Sequence, residues 1–152
     1  MWSRKTLALY RLRVLFCIGG VLASSVIGCE KSGPKMIQVE GKVTYKGKPV
    51  PRGWVTFHPD AKKGNQSMEV PKGDIDPDGT YHVITRLAEG ITPGWYHVAV
   101  NAADPIDPKN PYFNKDKWIV PEKYSNPKTS KLEMQIVENP APGAYDINIE
   151  PK

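Results

Sequence analysis

The sequence predicts an all-β fold: a seven-stranded Greek-key β-sandwich behind an export leader. Three observations predict it. Short runs alternate apolar and polar residues with a period of two, the mark of a strand with one buried face. Turn residues are frequent, with 15 Pro and 13 Gly in 152 residues, as expected where many short strands meet. After the leader, no stretch sustains the i, i+3, i+4, i+7 spacing of an amphipathic helix. The length suits one domain plus a short appendage.

The appendage comes first. Arg4, Lys5, Arg11 and Arg13 precede an apolar run, V-L-F-C-I-G-G-V-L-A-S-S-V-I, at residues 14–27. At about 1.5 Å per residue this run spans roughly 21 Å, short of the ~30 Å hydrocarbon core. Length and flanks read as a secretory signal peptide at residues 1–28, with an uncleaved anchor as the alternative. The run ends V-I-G-C, Val26 to Cys29. This pattern resembles the lipobox of bacterial lipoproteins. The resemblance implies cleavage after Gly28, a diacylglyceryl thioether on Cys29 and an acyl chain, such as palmitate, on its amine. An incidental cysteine in an ordinary leader is the competing reading. Several acyl chains, at about 0.8 kcal/mol per buried methylene, anchor durably where one alone is marginal.

Removing the leader changes the electrostatics. Four of the 21 basic residues leave with it and none of the 16 acidic ones, so the remainder carries +1 rather than +5. Nucleic-acid binding loses its support, because no net basic field is left to displace counterions. Of the two cysteines, Cys17 belongs to the leader and Cys29 is the lipidation candidate. The folded domain therefore has no disulfide and no thiol nucleophile, and its stability rests on core packing.

After Cys29, residues 30–36 form a tether that reaches about 25 Å at most, and the domain is expected over residues 37–152. The stretch 41–59, G-K-V-T-Y-K-G-K-P-V-P-R-G-W-V-T-F-H-P, reads as its opening hairpin. Ile37, Val39, Val43 and Tyr45 face inward, Lys46-Gly47 turns, and Val55 and Phe57 face inward on the return. Gly41, on the apolar side, marks a bulge or a close contact. Pro49 and Pro51 cannot donate to a ladder, so the chain there is an edge or a corner. Residues 67–75 are a weak strand, with Met68 and Val70 alternating. Asp76-Pro77-Asp78-Gly79 suits a type I turn. It leads into a strand at 81–85 with Tyr81 and Val83 inward. Pro93-Gly94 launches another at 95–102, with Tyr96, Val98 and Val100 inward. Residues 103–121 lack periodicity; Pro105, Pro108 and Pro111 favour polyproline II. Pro121 opens a single helical turn to Tyr124. The last strands are 132–137 and 144–149, with Leu132, Met134, Ile136, Tyr145, Ile147 and Ile149 inward.

Four segments, in order, are similar to the carboxypeptidase regulatory-like domain of the transthyretin-like (prealbumin-like) superfamily. They are G-K-V-T-Y-K-G-K-P-V-P-R-G-W-V-T-F, D-P-D-G-T-Y-H-V, P-G-W-Y-H-V-A-V and P-E-K-Y-S-N-P-K-T-S-K-L. The version it most resembles is a small exported lipoprotein of planctomycete-type bacteria. The resemblance runs from about Ile37 to the end. It implies a seven-stranded sandwich outside the cytoplasm that serves as a scaffold, stabiliser or attachment module. It implies no activity. Some superfamily members hydrolyse 5-hydroxyisourate and end in Y-R-G-S; this chain ends A-Y-D-I-N-I-E-P-K.

Three constellations could carry chemistry. Asp74, Asp76, Asp78 and Gly79 spell the first half of a calcium loop. Its twelfth position is Thr85 rather than Glu, however, and the flanks read as strands, so an Asp-rich turn is preferred. His58, His82 and His97 lie on outward strand faces; His82 and His97 become neighbours if their strands pair. Two imidazoles without a third ligand make a poor zinc site, and solvated histidines are the ordinary expectation. Trp54, Trp95 and Trp118 could form a face for sugars or a partner protein. The preferred reading is that the 103–121 connection covers them. No G-x-S-x-G, H-E-x-x-H or P-loop pattern occurs.

The expectation is a non-catalytic, lipid-anchored binding or scaffolding module at the cell membrane or outer membrane. It has no catalytic, cofactor or metal residues assigned, and its partner is an envelope protein or polysaccharide. The alternative is a carbohydrate- or metal-binding receptor domain at the cell surface.

Overall fold

The computed structural model describes residues 35–86, 88–103 and 117–151. All lie within Gly33–Lys152, the second of the two units into which the chain divides. The leader, Cys29 and residues 30–34 of the tether lie outside the described residues, as does most of the 103–121 connection with its proline run. Among the described residues no helix is long and apolar enough to cross a membrane.

The fold is mostly β, with ten described strands in two sheets. The smaller sheet is built on β1 (Glu40–Tyr45), flanked by β10 (Ile147–Ile149), β2 (Lys48–Pro49) and β5 (Thr80–His82). The larger sheet runs β7 (Ala88–Glu89), β6 (Ile84–Thr85), β4 (Lys72–Asp74), β3 (Trp54–Pro59), β8 (Gly94–Asn101) and β9 (Leu132–Ile136). Buried side chains of both sheets form one cluster. Val43, Tyr81 and Ile149 come from the smaller sheet; Phe57, Tyr96, Val98 and Ile136 come from the larger. The alternation read from the sequence thus assigns the inward faces correctly for the main strands. The exceptions are Met68 and Val70, which are exposed because β4 begins only at Lys72.

Several pairings differ from expectation. Lys46 and Gly47 do turn, with φ of 53° and 71°, the both-positive pattern of a type I′ hairpin. The returning strand, however, is β2, which pairs Thr44 with Pro49 and Tyr45 with Lys48. β3 does not pair with β1; it crosses to the larger sheet, between β4 and β8. Pro49 and Pro51 lack the N–H groups to continue the hairpin, and Val50 is driven into the core. The crossing ends at Gly53, at φ 124°, where a Cβ would lie 2.3 Å from the Asn101 carbonyl oxygen.

The strand expected at 81–85 is also divided between sheets. β5 pairs with β1 and β6 with β4, and the buried Val83 lies between them. Nor are all pairings antiparallel: β1 and β10 run parallel, with Val43 opposite Ile147. The helical turn after Pro121 is a 3-10 turn at Glu122–Ser125. A short helix, α1 (Pro127–Ser130), follows it, capped by the Asn126 side chain, which accepts from the Lys128 N–H.

Candidate functional site

Among the described residues, the outer face of the larger sheet carries a close group of Asp, His and Glu side chains. In β3, burying Val55 and Phe57 turns Trp54, Thr56 and His58 outward. In β8, burying Tyr96, Val98 and Val100 turns out Trp95 and His97. In β9, the apolar Leu132, Met134 and Ile136 leave Glu133 on the outer side. Register does the rest. His58 stands opposite His97 and His97 opposite Glu133, a row across three strands.

The chain leaving β3 adds to this row. Asp60 caps a 3-10 turn at Ala61–Lys63, its Oδ1 accepting the Lys62 N–H at 3.0 Å. Its own N–H donates to the Trp95 carbonyl oxygen at 2.9 Å. Asn65 fastens the end of the turn: its Nδ2 donates to the same oxygen and its Oδ1 accepts the Ser67 N–H. The absence of a side chain at Gly94 leaves room for it, since a Cβ there would lie 2.8 Å from Asn65 Nδ2. This loop delivers Asp60 and Lys63 to the histidine row.

The resulting cluster has defined geometry. Asp60 Oδ2 lies 3.5 Å from His97 Nε2, and Glu133 Oε1 lies 3.8 Å from His97 Nδ1. Lys63 Nζ donates to Glu133 Oε2 at 2.5 Å and sits 4.1 Å from the centre of the Trp95 ring. His58 Nε2 is 3.1 Å from Thr56 Oγ1. Partial burial holds the His58 ring below its ordinary pKa, and the neighbouring His97 adds to the effect. One buried carboxylate, one partly exposed imidazole and one partly exposed carboxylate thus converge from three chain segments.

The residues singled out from the sequence are distributed differently from expectation. His82 and His97 are not neighbours, because β5 and β8 belong to different sheets. His82 instead faces Glu40, at 3.7 Å. It lines a cleft of about 300 Å³ with Gln38, Glu40, Ile84 and Glu89. Asp76 makes the turn through its backbone, its carbonyl accepting the Gly79 N–H at 2.8 Å. Asp78 accepts from both the N–H and the hydroxyl of Thr80. The Thr80 N–H bond is the leading cause of the Asp78 carboxyl's lowered pKa. Asp74 pairs with Lys72 at 2.7 Å, and Thr85 donates to the Gly90 carbonyl oxygen. These side chains serve a turn and its flanks.

The tryptophans do not make one platform. Trp54 stands opposite Asn101 at one end of the β3–β8 ladder, whereas Trp95 precedes Tyr96 at the other. Lys72 lies 5.0 Å from the Trp54 ring centre, and Lys63 lies 4.1 Å from that of Trp95. Trp118 is half-buried and bridges to Ala103. Whether the connection between them covers a sheet falls outside the described residues, but Trp54 itself remains 38 % exposed. Asp60, Lys63 and Glu133 were missed from the sequence. Asp60 carried a signal, an Asp before a short polar turn, which fits an N-cap. Glu133 carried none, because its place depends on strand register. Comparison with protein-family models, curated proteins and solved structures finds no match for the chain.

Proposed function

We propose that this chain is an exported, lipid-anchored β-sandwich that acts as a non-catalytic binding or scaffolding module at the cell envelope. The observation that carries the reading is V-I-G-C at residues 26–29, placed at the end of an apolar leader with basic residues before it. The domain beyond Cys29 has no other cysteine, so the anchoring chemistry falls on one thiol. The two-sheet fold supports assignment to the seven-stranded Greek-key, transthyretin-like class that the sequence resembles. The partner is an envelope protein or polysaccharide met on the outer sheet face, where His58, His97, Glu133 and Lys63 are grouped.

A carbohydrate receptor is the weaker reading. Sugar binding on tryptophan needs an open ring face, and here Trp54 and Trp95 stand apart, each with a lysine ammonium over it. The anchoring claim is tested with Cys29→Ala. The wild-type protein is expected in the membrane fraction and the variant in the soluble fraction; equal membrane retention of both would remove the lipoprotein reading.

A further inference from the structure

We propose that Asp60, His97 and Glu133 bind a divalent transition-metal ion, zinc by the character of the donors. One ligand atom from each residue can be chosen so that all three lie within 4.8 Å of one another. A tetrahedral zinc ion with bonds of about 2.0–2.2 Å holds its donors roughly 3.3 Å apart. Asp60 faces His97 Nε2 and Glu133 faces Nδ1, so closing the site on one nitrogen takes a swing of the Glu133 carboxylate or a turn of the His97 ring, and both of these side chains are partly exposed. The mixture of one imidazole and two carboxylates suits zinc better than calcium, which takes six to eight oxygen ligands. Three protein donors leave a fourth position open, the arrangement of sites that accept water or an outside ligand.

The second observation is the state of Asp60. Its side chain is only 7 % exposed, yet its Oδ2 faces His97 Nε2 at 3.5 Å, beyond the usual 2.7–3.2 Å of an N–H···O bond. Burying a carboxylate is costly unless it is well paired. Its other oxygen is held by the Lys62 N–H and its backbone by Trp95. The carboxylate is thus fixed in direction, with one oxygen turned toward the imidazole at a distance longer than a hydrogen bond. A cation between them would be held by both. Lys63 is the built-in competitor. Its ammonium occupies Glu133 Oε2, while Oε1 faces His97 Nδ1, so releasing Lys63 frees the carboxylate to swing toward Asp60. The inference stands whether or not the chain is lipid-anchored.

The test is calorimetric titration of the untagged full chain, in detergent, with zinc chloride and separately with calcium chloride. One zinc per chain is expected, with no comparable calcium binding. His97→Gln and Glu133→Gln are each expected to weaken zinc binding by at least about tenfold, while His82→Gln leaves it unchanged. Lys63→Met is expected to tighten it by removing the competing charge. Zinc is also expected to raise the melting temperature of the wild type, because a ligand that binds the native state stabilises it. Glu133→Gln lies at a partly exposed position, so its fold is expected to survive and its zinc-dependent shift to be lost. Absence of saturable zinc binding overturns the proposal, as does binding equally tight in His97→Gln and Glu133→Gln.

Discussion

The Tyr81 hydroxyl donates to the Tyr145 carbonyl oxygen at 2.6 Å, buried in the core and across 64 residues of chain. It joins β5 to the segment that leads into β10. The interaction passes beside Gly41, where an added Cβ would lie 2.3 Å from that carbonyl oxygen and 2.9 Å from the hydroxyl. A strand, a turn and a glycine from three parts of the chain are therefore interdependent.

Tyr81→Phe should destabilise the domain by about 1–3 kcal/mol, because it leaves the Tyr145 carbonyl unsatisfied where water does not reach. Denaturant unfolding measures the loss. Burial, with lesser contributions from Asp146 and Tyr145, pushes the Tyr81 hydroxyl well above the usual value of 10.0. Its pKa is raised in the folded state, so the associated stability is complete below pH 10.0 and is lost as pH rises beyond it. In an alkaline absorbance titration, this tyrosine should ionise only as the domain unfolds.

Gly41→Ala and Gly47→Ala should part company. Gly41 is crowded by backbone, so the substitution forces a shift costing about 1–3 kcal/mol. Gly47 has φ 71° and nothing within 4 Å of an added Cβ; its substitution costs only the left-handed strain, about 1–2 kcal/mol. Removing Tyr81's hydroxyl should soften the Gly41→Ala penalty without touching that of Gly47→Ala, which a double-mutant cycle reads directly.

Phe57→Ala should cost about 3–5 kcal/mol. The ring is fully buried, with its centre 6.2 Å from the Tyr81 ring and 6.1 Å from the Tyr96 ring. Met68→Ala, at a position 96 % exposed, should change stability by less than about 0.5 kcal/mol. Thermal melts of the two variants check the contrast.

In metal-free protein, His58 should titrate below the ordinary 6.5, first because of burial and second because of His97. His97→Gln should bring it part of the way back, since burial remains; NMR titration of the ring resonances follows both. The folded-state pKa is lowered, so the unfolded chain binds the proton more readily. The linked stability is present above pH 6.5 and is lost as pH falls through the folded-state value.

Facing was far more legible in the sequence than pairing. A period of two tells which side chains enter the core, and Val43, Phe57, Tyr96, Val98 and Ile147 all do. It does not tell which strand lies alongside. Lys46-Gly47 made a hairpin as its chemistry required, but the prolines that follow diverted the chain, so β3 found β8 rather than β1. The site suffered from the same limit. His97 was visible as an outward histidine, yet its neighbours His58 and Glu133 are fixed by β3–β8 and β8–β9 register. That register follows from packing of the whole sheet rather than from any local pattern.

The parallel pairing of β1 with β10 has a temporal side. Val43 meets Ile147 across more than a hundred residues, so a chain made from its amino end keeps β1 without that neighbour until all of the intervening chain has been added. Contacts so far apart in sequence are slow to form. Until then, one edge of β1 stays open to any passing strand, and an encounter with the wrong one leads toward aggregation. A chain cut short anywhere before Ile147 would carry its founding strand still unzipped.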